Sequence, residues 1–277
     1  MTETDDPPFG ALRPGALEER FRGLARGLAR NYAGRKLASL LLGPAGGRAK
    51  RAYDVEIFGS QKARLHPFDN ICEKRVYLTP QHWDAAERAL LANRIAAQQG
   101  DDFIFADIGA NVGLYTLFAR AEAQRAGRRL RAICVEPDPD MRARLAFNIA
   151  ASVAREEIDI LPYAATAAEG PVRFSVNRQS RGMSRIAAGG EIEVEGRTLA
   201  SLLSGQTRID AMKIDIEGHE YSVLEAFFRT APRRLWPDLM IMETSHEAAD
   251  KSAKALVLDK GYEIALENGL NSVLVLE

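Results

Sequence analysis

The sequence predicts an α/β protein with a doubly wound, mostly parallel sheet of seven strands and helices on both faces, preceded by a helical and β-hairpin extension. Short apolar runs alternate with helical patterns from Asp101 almost to the end of the chain, and this alternation is typical of a parallel sheet. The first run, FIFADIG, is apolar almost throughout, as expected of a strand buried on both faces. A glycine-containing turn, DIGANVG, joins this strand to a helix.

The composition is that of a soluble globular protein. The chain has 277 residues, of which 46% are hydrophobic and 27% are charged, so we expect one main domain with an added segment. The net charge of −1 is unevenly distributed, because residues 13–51 contain ten Lys or Arg against two Glu. The rest of the chain is acidic, so we expect no nucleic-acid surface. No apolar run approaches the roughly 18 residues that span a bilayer, and we expect a cytoplasmic protein.

Residues 1–52 are interpreted as a basic amphipathic extension and linker. Apolar residues recur there at three- to four-residue spacing and predict one helix, with the stripe Leu17, Phe21, Leu24, Leu28 and Tyr32. This stripe could pack on the body of the protein, pair with a second subunit in a homo-oligomer, or lie on an anionic membrane as a peripheral contact. We expect docking or self-association, because Gly23 and Gly27 weaken an isolated helix.

The remaining chain divides into two parts. Residues 53–100 contain the strand patterns YDVEIFG and KARLHP and a helix from about Thr79 to Gly100, and we expect this part to cover a cofactor site. Residues 101–277 form the main domain. Its predicted elements are strand FIFADIG, helix 113–126, strand RAICVEP, helix 138–150, strands IDILPYAA and PVRFSV, polar loop 177–190, short helix RTLASLL, strand AMKIDI, helix 217–229, strand DLMIMET, helix 248–260 and strands YEIALE and NSVLVLE.

The turn after the first strand indicates a nucleotide-type cofactor. Gly109 and Gly113 let the backbone turn and approach a ligand closely, but the turn is neither a G-x-G-x-x-G motif nor a P-loop. Asp107 would repel a pyrophosphate, whereas it favours the ammonium and sulfonium groups of S-adenosylmethionine. The next strand ends in Glu136, whose carboxylate can accept both hydroxyls of a ribose. We therefore predict S-adenosylmethionine in a Rossmann-like domain, with an NAD-dependent oxidoreductase as the alternative.

A second cluster of ionisable residues follows the strand in AMKIDIEGHEYSVL. Strand alternation places Lys213 and Asp215 on one face, and Asp215 at the carboxyl edge beside the cofactor's methyl group. We predict that Asp215 is a general base or orienting group for a substrate hydroxyl, or a ligand of a divalent cation. His219 is another candidate base or a surface residue. Lys213 is assigned to the catalytic edge as an ion-pair partner.

Two further segments surround this edge. Glu243, at the end of the neighbouring strand, could join Asp215 and Glu217 in an oxygen-rich site for a cation such as Mg²⁺, although a metal-free edge remains an alternative. The loop NRQSRGMSRIAAGG is interpreted as a mobile lid or a solvated loop. Its basic side chains would suit an anionic substrate: Arg178, Arg181 and Arg185.

At this point the sequence resembles the FkbM-type methyltransferases, a family of the class I S-adenosylmethionine-dependent fold. The resemblance rests on the segments DIGANVGLYTLFAR, CVEPDPDMRARLAFNI, MKIDIEGHEYSVLEAF and RLHPFDNICEKRVYL, and it covers roughly residues 53–277. Members of the family mostly methylate hydroxyl oxygens of sugars, polyketides and other small metabolites. The resemblance therefore implies an O-methyltransferase acting on a small-molecule or glycan hydroxyl, and a non-enzymatic interaction module with a degenerate fold is the other alternative.

The resemblance also implies roles for individual residues in cofactor binding. The methionine end of S-adenosylmethionine would be held by Asp107, Gly109, Asn111 and Gly113. Glu136 would hold the ribose, and Tyr163 and Ala164 match the adenine edge loosely. The segment that contains Asn70 and Glu73 would lie over the cofactor.

Overall fold

The computed structural model describes residues 7–177, 185–187, 189–244 and 252–276. The helices are α1 (Ala16–Arg26), α2 (Tyr32–Leu41), α3 (Ile71–Leu78), α4 (Ala85–Ala97), α5 (Leu114–Arg125), α6 (Pro139–Ala151), α7 (Leu199–Leu202), α8 (Glu220–Thr230) and α9 (Ala253–Asp259). The strands are β1 (Tyr53–Ile57), β2 (Gln61–Leu65), β3 (Asp102–Ile108), β4 (Arg129–Val135), β5 (Ile158–Leu161), β6 (Ala164–Ala165), β7 (Gly170–Ser175), β8 (Arg185–Ile186), β9 (Ile192–Arg197), β10 (Ala211–Ile214), β11 (Leu239–Glu243), β12 (Tyr262–Glu267) and β13 (Asn271–Leu276).

A seven-stranded sheet forms the centre of the protein, in the order β12-β13-β11-β10-β3-β4-β5. The five strands β11, β10, β3, β4 and β5 pair in parallel, whereas β13 is antiparallel to both of its neighbours. The chain order reverses between β3 and β10, and sheets of this kind bind ligands in the crevice at such a reversal. The predicted mostly parallel, seven-stranded, doubly wound sheet is confirmed.

Helices cover both faces of this sheet, and alternate residues of one strand enter two different cores. In β3, Phe103 and Phe105 lie in the core that contains residues of α5 and the N-terminal segments. Ile104 and Ile108 lie in the opposite core, which contains residues of α8 and α9. This double burial explains why the sequence of β3 is apolar almost throughout.

The N-terminal extension forms two helices instead of the predicted single helix. The side chain of Asn31 accepts a hydrogen bond from the Gly34 N–H at 2.9 Å and caps α2. The chain turns so sharply that a Cβ on Gly34 would lie 2.0 Å from the carbonyl oxygen of Ala29. The single-helix prediction was wrong because the apolar spacing continues across this break.

α1 packs on the body of the protein. Arg22 is 2% exposed, donates from Nε to the carbonyl oxygen of Tyr77 at 3.2 Å and lies 4.5 Å above the centroid of the Tyr77 ring. Glu18 accepts a hydrogen bond from the Tyr53 hydroxyl at 2.9 Å. Buried polar contacts therefore hold the extension against residues 53–78, while Leu40 of α2 remains exposed.

Residues 53–100 contain a helix that the sequence analysis did not predict. Asn70 begins it, because its Oδ1 accepts the N–H groups of Cys72 and Glu73 at 3.0 and 3.2 Å and so caps α3. α4 begins at Ala85 instead of near Thr79. The residue before it, Asp84, has a φ of 41°, which is incompatible with a right-handed helix.

A second sheet of four short strands follows β5, in the order β6-β9-β7-β8. The predicted strand IDILPYAA is interrupted at Pro162 and contributes β5 to the main sheet and β6 to the second sheet. Within the predicted polar loop, β8 pairs with β7, whereas Arg178 and Arg181 lie outside the described residues. In the part of the chain that the structure describes, no helix is long and apolar enough to cross a bilayer.

Candidate active site

The turn between β3 and α5 packs directly against the end of β10. Gly109 has a φ of 76°, and a Cβ there would lie 1.9 Å from the carbonyl oxygen of Asp215. Gly113 has a φ of 81°, and its Cβ would lie 2.3 Å from Cδ1 of Leu145. Asn111, between the two glycines, also has a positive φ of 52°. The glycines are needed for this close approach, which places the predicted cofactor turn beside the predicted catalytic edge.

Asp107, near the carboxyl end of β3, is 1% exposed, and only one of its two carboxylate oxygens has a hydrogen-bond partner among the described residues. Its Oδ2 accepts hydrogen bonds from the hydroxyl and the N–H of Thr116 at 2.6 and 3.2 Å, but its Oδ1 has no partner among the described residues. Burial raises the pKa of this carboxyl, against the opposing charge of Lys213. An unsatisfied buried oxygen is costly, and the ammonium of S-adenosylmethionine is a donor that would satisfy it.

Glu136 lines a cavity together with Gly109 and Asn111. Its Oε2 accepts the Asn111 N–H at 2.7 Å, and its Oε1 accepts the Asp138 N–H at 2.8 Å. Burial raises the pKa of Glu136 to about 7. The two N–H groups fix the carboxylate in place and leave its remaining lone pairs for other donors, such as ribose hydroxyls.

The wall next to Glu136 only partly matches the predicted adenine edge. Ala164 lines the cavity, together with the unpredicted apolar residues Met141 and Ala165. Tyr163 does not line it, because its ring packs under the guanidinium of Arg197 at 4.6 Å. A two-residue strand that leaves the main sheet is not apparent from the sequence, so its exact position could not be predicted.

Asn70 and Glu73 act on the cofactor turn and its surroundings indirectly. Asn70 donates from Nδ2 to Oδ1 of Asn111 at 2.8 Å and so fixes a side chain of the turn. Glu73 does not line the cavity. It is fully buried, accepts the His66 N–H at 2.6 Å and pairs with Arg144 at 3.0 Å. These contacts tie α3 to β2 and α6 and replace the predicted cofactor contact of Glu73 with a structural one.

The catalytic edge contains a short ion pair. Lys213 Nζ donates to Asp215 Oδ2 at 2.7 Å. The two side chains lie on one face of the strand, while Met212, Ile214 and Ile216 pack in the core on the other face, as predicted. Both ions line a smaller cavity that shares Asp215 with the larger cavity at Glu136. Asp215 therefore stands between the two cavities.

Glu220 shapes the loop that follows Asp215. Its two carboxylate oxygens accept the N–H groups of Ile216 and Gly218 at 2.8 and 3.0 Å, and burial raises its pKa. This bracing role was missed by the sequence analysis, which assigned Glu220 to the first turn of the helix. His219 directs Nε2 towards the carbonyl oxygen of Ile186 at 3.3 Å. It therefore contacts β8 and does not line either cavity.

The three residues predicted as metal ligands are brought together. One carboxylate oxygen each from Asp215, Glu217 and Glu243 lies within 4.8 Å of the others. Hard divalent cations bind such oxygen ligands, although half-buried carboxylates also cluster without a cation. Glu217 has a φ of 55°, which turns the chain after the strand end.

The second sheet covers one side of the larger cavity. Phe174 of β7 and Ile186 of β8 line it opposite the strand-end residues of the main sheet. Neither residue was predicted as part of the site. Phe174 lies in the predicted strand PVRFSV and Ile186 in the predicted polar loop, but no sequence pattern indicated that either segment lies beside this cavity.

Solved structures with similar folds include two methyltransferases and a complex with a cofactor product. An FkbM methyltransferase from Methylobacillus flagellatus is 12% identical, over 92% of this chain and 76% of that chain, with a TM-score of 0.47. A precorrin-6y C5,15-methyltransferase from Geobacter metallireducens is 16% identical, over 68% and 85% of the two chains, with a TM-score of 0.40. TrmK of M. capricolum, in complex with S-adenosyl-homocysteine, is 13% identical, over 66% and 65%, with a TM-score of 0.38.

The family assignment rests on the sequence. None of the curated proteins matches this chain, but the model of the methyltransferase FkbM domain matches residues 107–264. This segment begins at Asp107 and includes Glu136, Asp215 and Glu243, and it favours methyl transfer over the oxidoreductase alternative. The match covers more than half of the chain, and the protein therefore belongs to the FkbM family of S-adenosylmethionine-dependent methyltransferases.

Proposed function

We propose that the protein transfers the methyl group of S-adenosylmethionine to a hydroxyl oxygen of a small molecule or a glycan. The observation that carries this proposal is the position of Asp215. Among the described residues, it is the charged side chain common to the cavity that contains Glu136 and the cavity that contains Asp107. A carboxylate there can accept a hydrogen bond from an acceptor hydroxyl next to the methyl donor.

The chain offers binding groups for each part of the cofactor. Oδ1 of Asp107 would accept the ammonium, and Glu136 would accept the ribose hydroxyls. Gly109 and Asn111 line the cavity at Glu136, where the chain between these two ends would lie. When bound, S-adenosylmethionine supplies an electrophilic methyl group on its sulfonium. Oδ1 of Asp107, which has no hydrogen-bond partner among the described residues, and the cavity at Glu136 support this assignment.

Asp215 and Lys213 have different roles in this proposal. Methyl transfer to oxygen requires an aligned hydroxyl that loses its proton, and Asp215 orients the hydroxyl and accepts that proton. Lys213 holds the carboxylate through the 2.7 Å contact. Burial lowers the pKa of Lys213, but the charges of Asp215 and Asp107 outweigh burial and raise it. Lys213 therefore stays protonated and positions Asp215. We propose that His219 positions β8.

The carboxylates at this strand edge would also accommodate a divalent cation such as Mg²⁺. Asp215, Glu217 and Glu243 would hold it, and it would polarise the acceptor hydroxyl as a Lewis acid. The proximity of the three carboxylates is the observation that supports it. The metal-free alternative, in which Asp215 alone orients the hydroxyl, needs neither Glu217 nor Glu243.

An acceptor panel tests the proposed function. The full chain is incubated with S-adenosylmethionine labelled with ¹³C in its methyl group and with sugars, sugar phosphates and hydroxy acids, each with EDTA or with Mg²⁺. The chemical shift of the product carbon distinguishes O-methyl from N-methyl and C-methyl groups. We expect an O-methyl product. Transfer only to nitrogen or carbon, from acceptors that also offer hydroxyls, would overturn the O-methyl assignment without affecting the family assignment.

A further inference from the structure

An open groove of about 750 Å³ lies beside the methyl-transfer site. Residues of α2, α3 and the start of α4 form part of its wall, and the turn at residues 268–271 forms another part. This volume is within the range of small-ligand pockets. Its lining contains four basic side chains, which are Arg35, Lys74, Arg75 and His82.

The three permanent cations of this groove form no close ion pair. Within the ranges that the structure describes, Arg35, Lys74 and Arg75 form no ion pair or side-chain hydrogen bond. Elsewhere in the same half of the protein, Arg64 pairs with a carboxylate at 2.7 Å and Arg144 does so at 2.7 Å. The lining therefore carries three cations without a close partner against two carboxylates, Asp84 and Glu87, and this excess positive charge attracts anions.

The two carboxylates in the lining are already engaged by other groups. Asp84 accepts a hydrogen bond from the Tyr115 hydroxyl at 3.0 Å. Glu87 accepts hydrogen bonds from the side-chain amides of Asn268 and Asn271, the latter at 3.0 Å. These contacts are made with uncharged partners, so neither carboxylate is paired with a cation of the groove.

The positive charges of the groove also act on His82. Its Nε2 is buried and has no hydrogen-bond partner among the described residues. Burial lowers the pKa of His82, and the charges of Arg35 and Arg30 lower it further. A neutral imidazole next to three cations provides a hydrogen-bonding group in the lining without adding charge.

The groove adjoins the methyl-transfer site at two places. Trp83 and Asp84 line both the groove and the smaller cavity that contains Lys213 and Asp215. In addition, Asn271 of the groove is the register partner of Glu243 in the main sheet. A ligand in the groove is therefore next to the strand ends that carry the catalytic edge.

We propose that this groove binds a phosphate or diphosphate group of the methyl acceptor while the acceptor's hydroxyl reaches Asp215, a proposal that rests on the methyl transfer proposed above. Arginine matches the oxygens of a phosphate through parallel hydrogen bonds, and lysine binds them as a point charge. Three cations suit a group with at least two negative charges better than they suit one carboxylate. The N-terminal extension thus contributes to acceptor binding through Arg35 of α2.

Calorimetry with inorganic pyrophosphate tests the groove directly. The full chain, with and without S-adenosylhomocysteine, is compared with the double variant Lys74→Ala/Arg75→Ala and with the control Arg155→Ala/Arg234→Ala. The control removes the same charge from two exposed arginines that do not line the groove. We expect the groove variant to bind pyrophosphate at least about tenfold more weakly than the parent, and the control to stay within about twofold. Equal weakening in both variants, or no binding by the parent, would overturn the proposal.

Further binding measurements distinguish a soluble phosphate from a lipid phosphate. Glucose 1-phosphate should bind better than glucose and should lose this advantage in the groove variant. Sedimentation with phosphatidylglycerol vesicles tests a membrane instead: vesicle binding that depends on Lys74 and Arg75, without binding of either soluble phosphate, would overturn the proposal. Both variants should bind S-adenosylhomocysteine with parental affinity. Failure of the parent to bind S-adenosylhomocysteine would contradict the proposed function, whereas the pyrophosphate result concerns the groove alone.

Discussion

Lys213 connects two carboxylates of the site. Its Nζ lies 2.7 Å from Oδ2 of Asp215, and the residue is the register partner of Asp107 across the parallel pair of β10 and β3. The charges of these two carboxylates act against burial and raise the pKa of Lys213. In the proposed function, one ammonium therefore stabilises both the carboxylate that would bind the cofactor and the carboxylate that would orient the acceptor. Removal of a partner would leave a half-buried charge less compensated.

The first prediction concerns Asp215→Asn. Asparagine has nearly the same size and keeps one acceptor oxygen, but it cannot accept the acceptor's proton and binds a cation poorly. We expect turnover to fall at least about a hundredfold, the low end for loss of a general base, with little change in affinity for S-adenosylhomocysteine. Initial rates with an acceptor from the panel and calorimetry measure the two quantities.

Asp259→Asn is the matched control for this variant, because Asp259 is an exposed residue at the end of α9. Its turnover should be parental. EDTA followed by Mg²⁺ separates the two roles of Asp215 in the parent: loss and recovery of turnover indicate a cation, and indifference indicates a base. Near-parental turnover of Asp215→Asn would contradict the catalytic role.

The second prediction concerns the pH dependence of cofactor binding. Burial raises the pKa of Glu136 to about 7, and the ionised carboxylate is the stronger acceptor for ribose hydroxyls. Binding of S-adenosylhomocysteine should therefore weaken as the pH falls below about 7, by at most about tenfold per pH unit for one proton. Calorimetry between about pH 6 and pH 8 measures this dependence, and Glu136→Gln should bind more weakly with a flatter profile.

Without a ligand, the contribution of Glu136 to the free energy of unfolding should instead decrease as the pH rises. Because the folded-state pKa of Glu136 lies above its ordinary value of 4.5, its contribution to stability is fully present below that value and is lost as the pH rises through about 7. Glu136→Gln should remove this part of the pH dependence of the free energy of unfolding. An unchanged pH profile of ligand binding in Glu136→Gln would assign the titration to another group, with Asp107 as the next candidate.

The third prediction concerns the docking of α1. Arg22→Ala removes a buried guanidinium and leaves the carbonyl of Tyr77 without that donor. We expect the free energy of unfolding to fall by about 1.5 to 3 kcal/mol, the range for hydrogen bonds to charged groups. Arg20→Ala, an exposed residue of the same helix, should change it by less than about 0.5 kcal/mol. Chemical denaturation measures the free energy of unfolding of both variants. An equal decrease in Arg22→Ala and Arg20→Ala would show that Arg22 does not hold α1 on the body of the protein.

The main sheet was predictable because its central strands are largely buried. β3 and β10 are short apolar runs bounded by polar or glycine-rich turns, and their order along the chain determines the site of the crevice. The residues of the site that were predicted lie at these strand ends. Asp107, Glu136 and Asp215 are separated by whole βα units, yet parallel strands bring their carboxyl ends to one edge.

Other features depend on contacts between distant segments and carry little local signal. The break between α1 and α2 depends on a cap by Asn31 inside a continuous apolar pattern. Strands β6 and β8 have two residues each, too few for a period-two pattern to be recognised. The roles of Phe174 and Ile186 in the cavity wall follow from the second sheet, so they were not predictable without it.

The fourth prediction concerns Glu220, which determines the conformation of the loop after Asp215. Glu217 and Gly218 have positive φ values of 55° and 96°, and the carboxylate of Glu220 holds this loop by accepting the N–H groups of Ile216 and Gly218. Glutamine can accept from only one of them, because its NH₂ group would face the other donor. We expect Glu220→Gln to lower the free energy of unfolding by about 1 to 3 kcal/mol.

Because the same loop positions Asp215, turnover of Glu220→Gln should also fall, by about tenfold for a displacement worth about 1.4 kcal/mol in the transition state. Glu225→Gln is the control on α8, since Glu225 is exposed and its carboxylate contacts the Tyr221 hydroxyl. Affinity for S-adenosylhomocysteine should be close to parental in both variants, because Glu220 does not line the cavity at Glu136. If Glu220→Gln instead loses cofactor affinity in proportion to turnover, the loop acts on the cofactor and does not specifically orient Asp215.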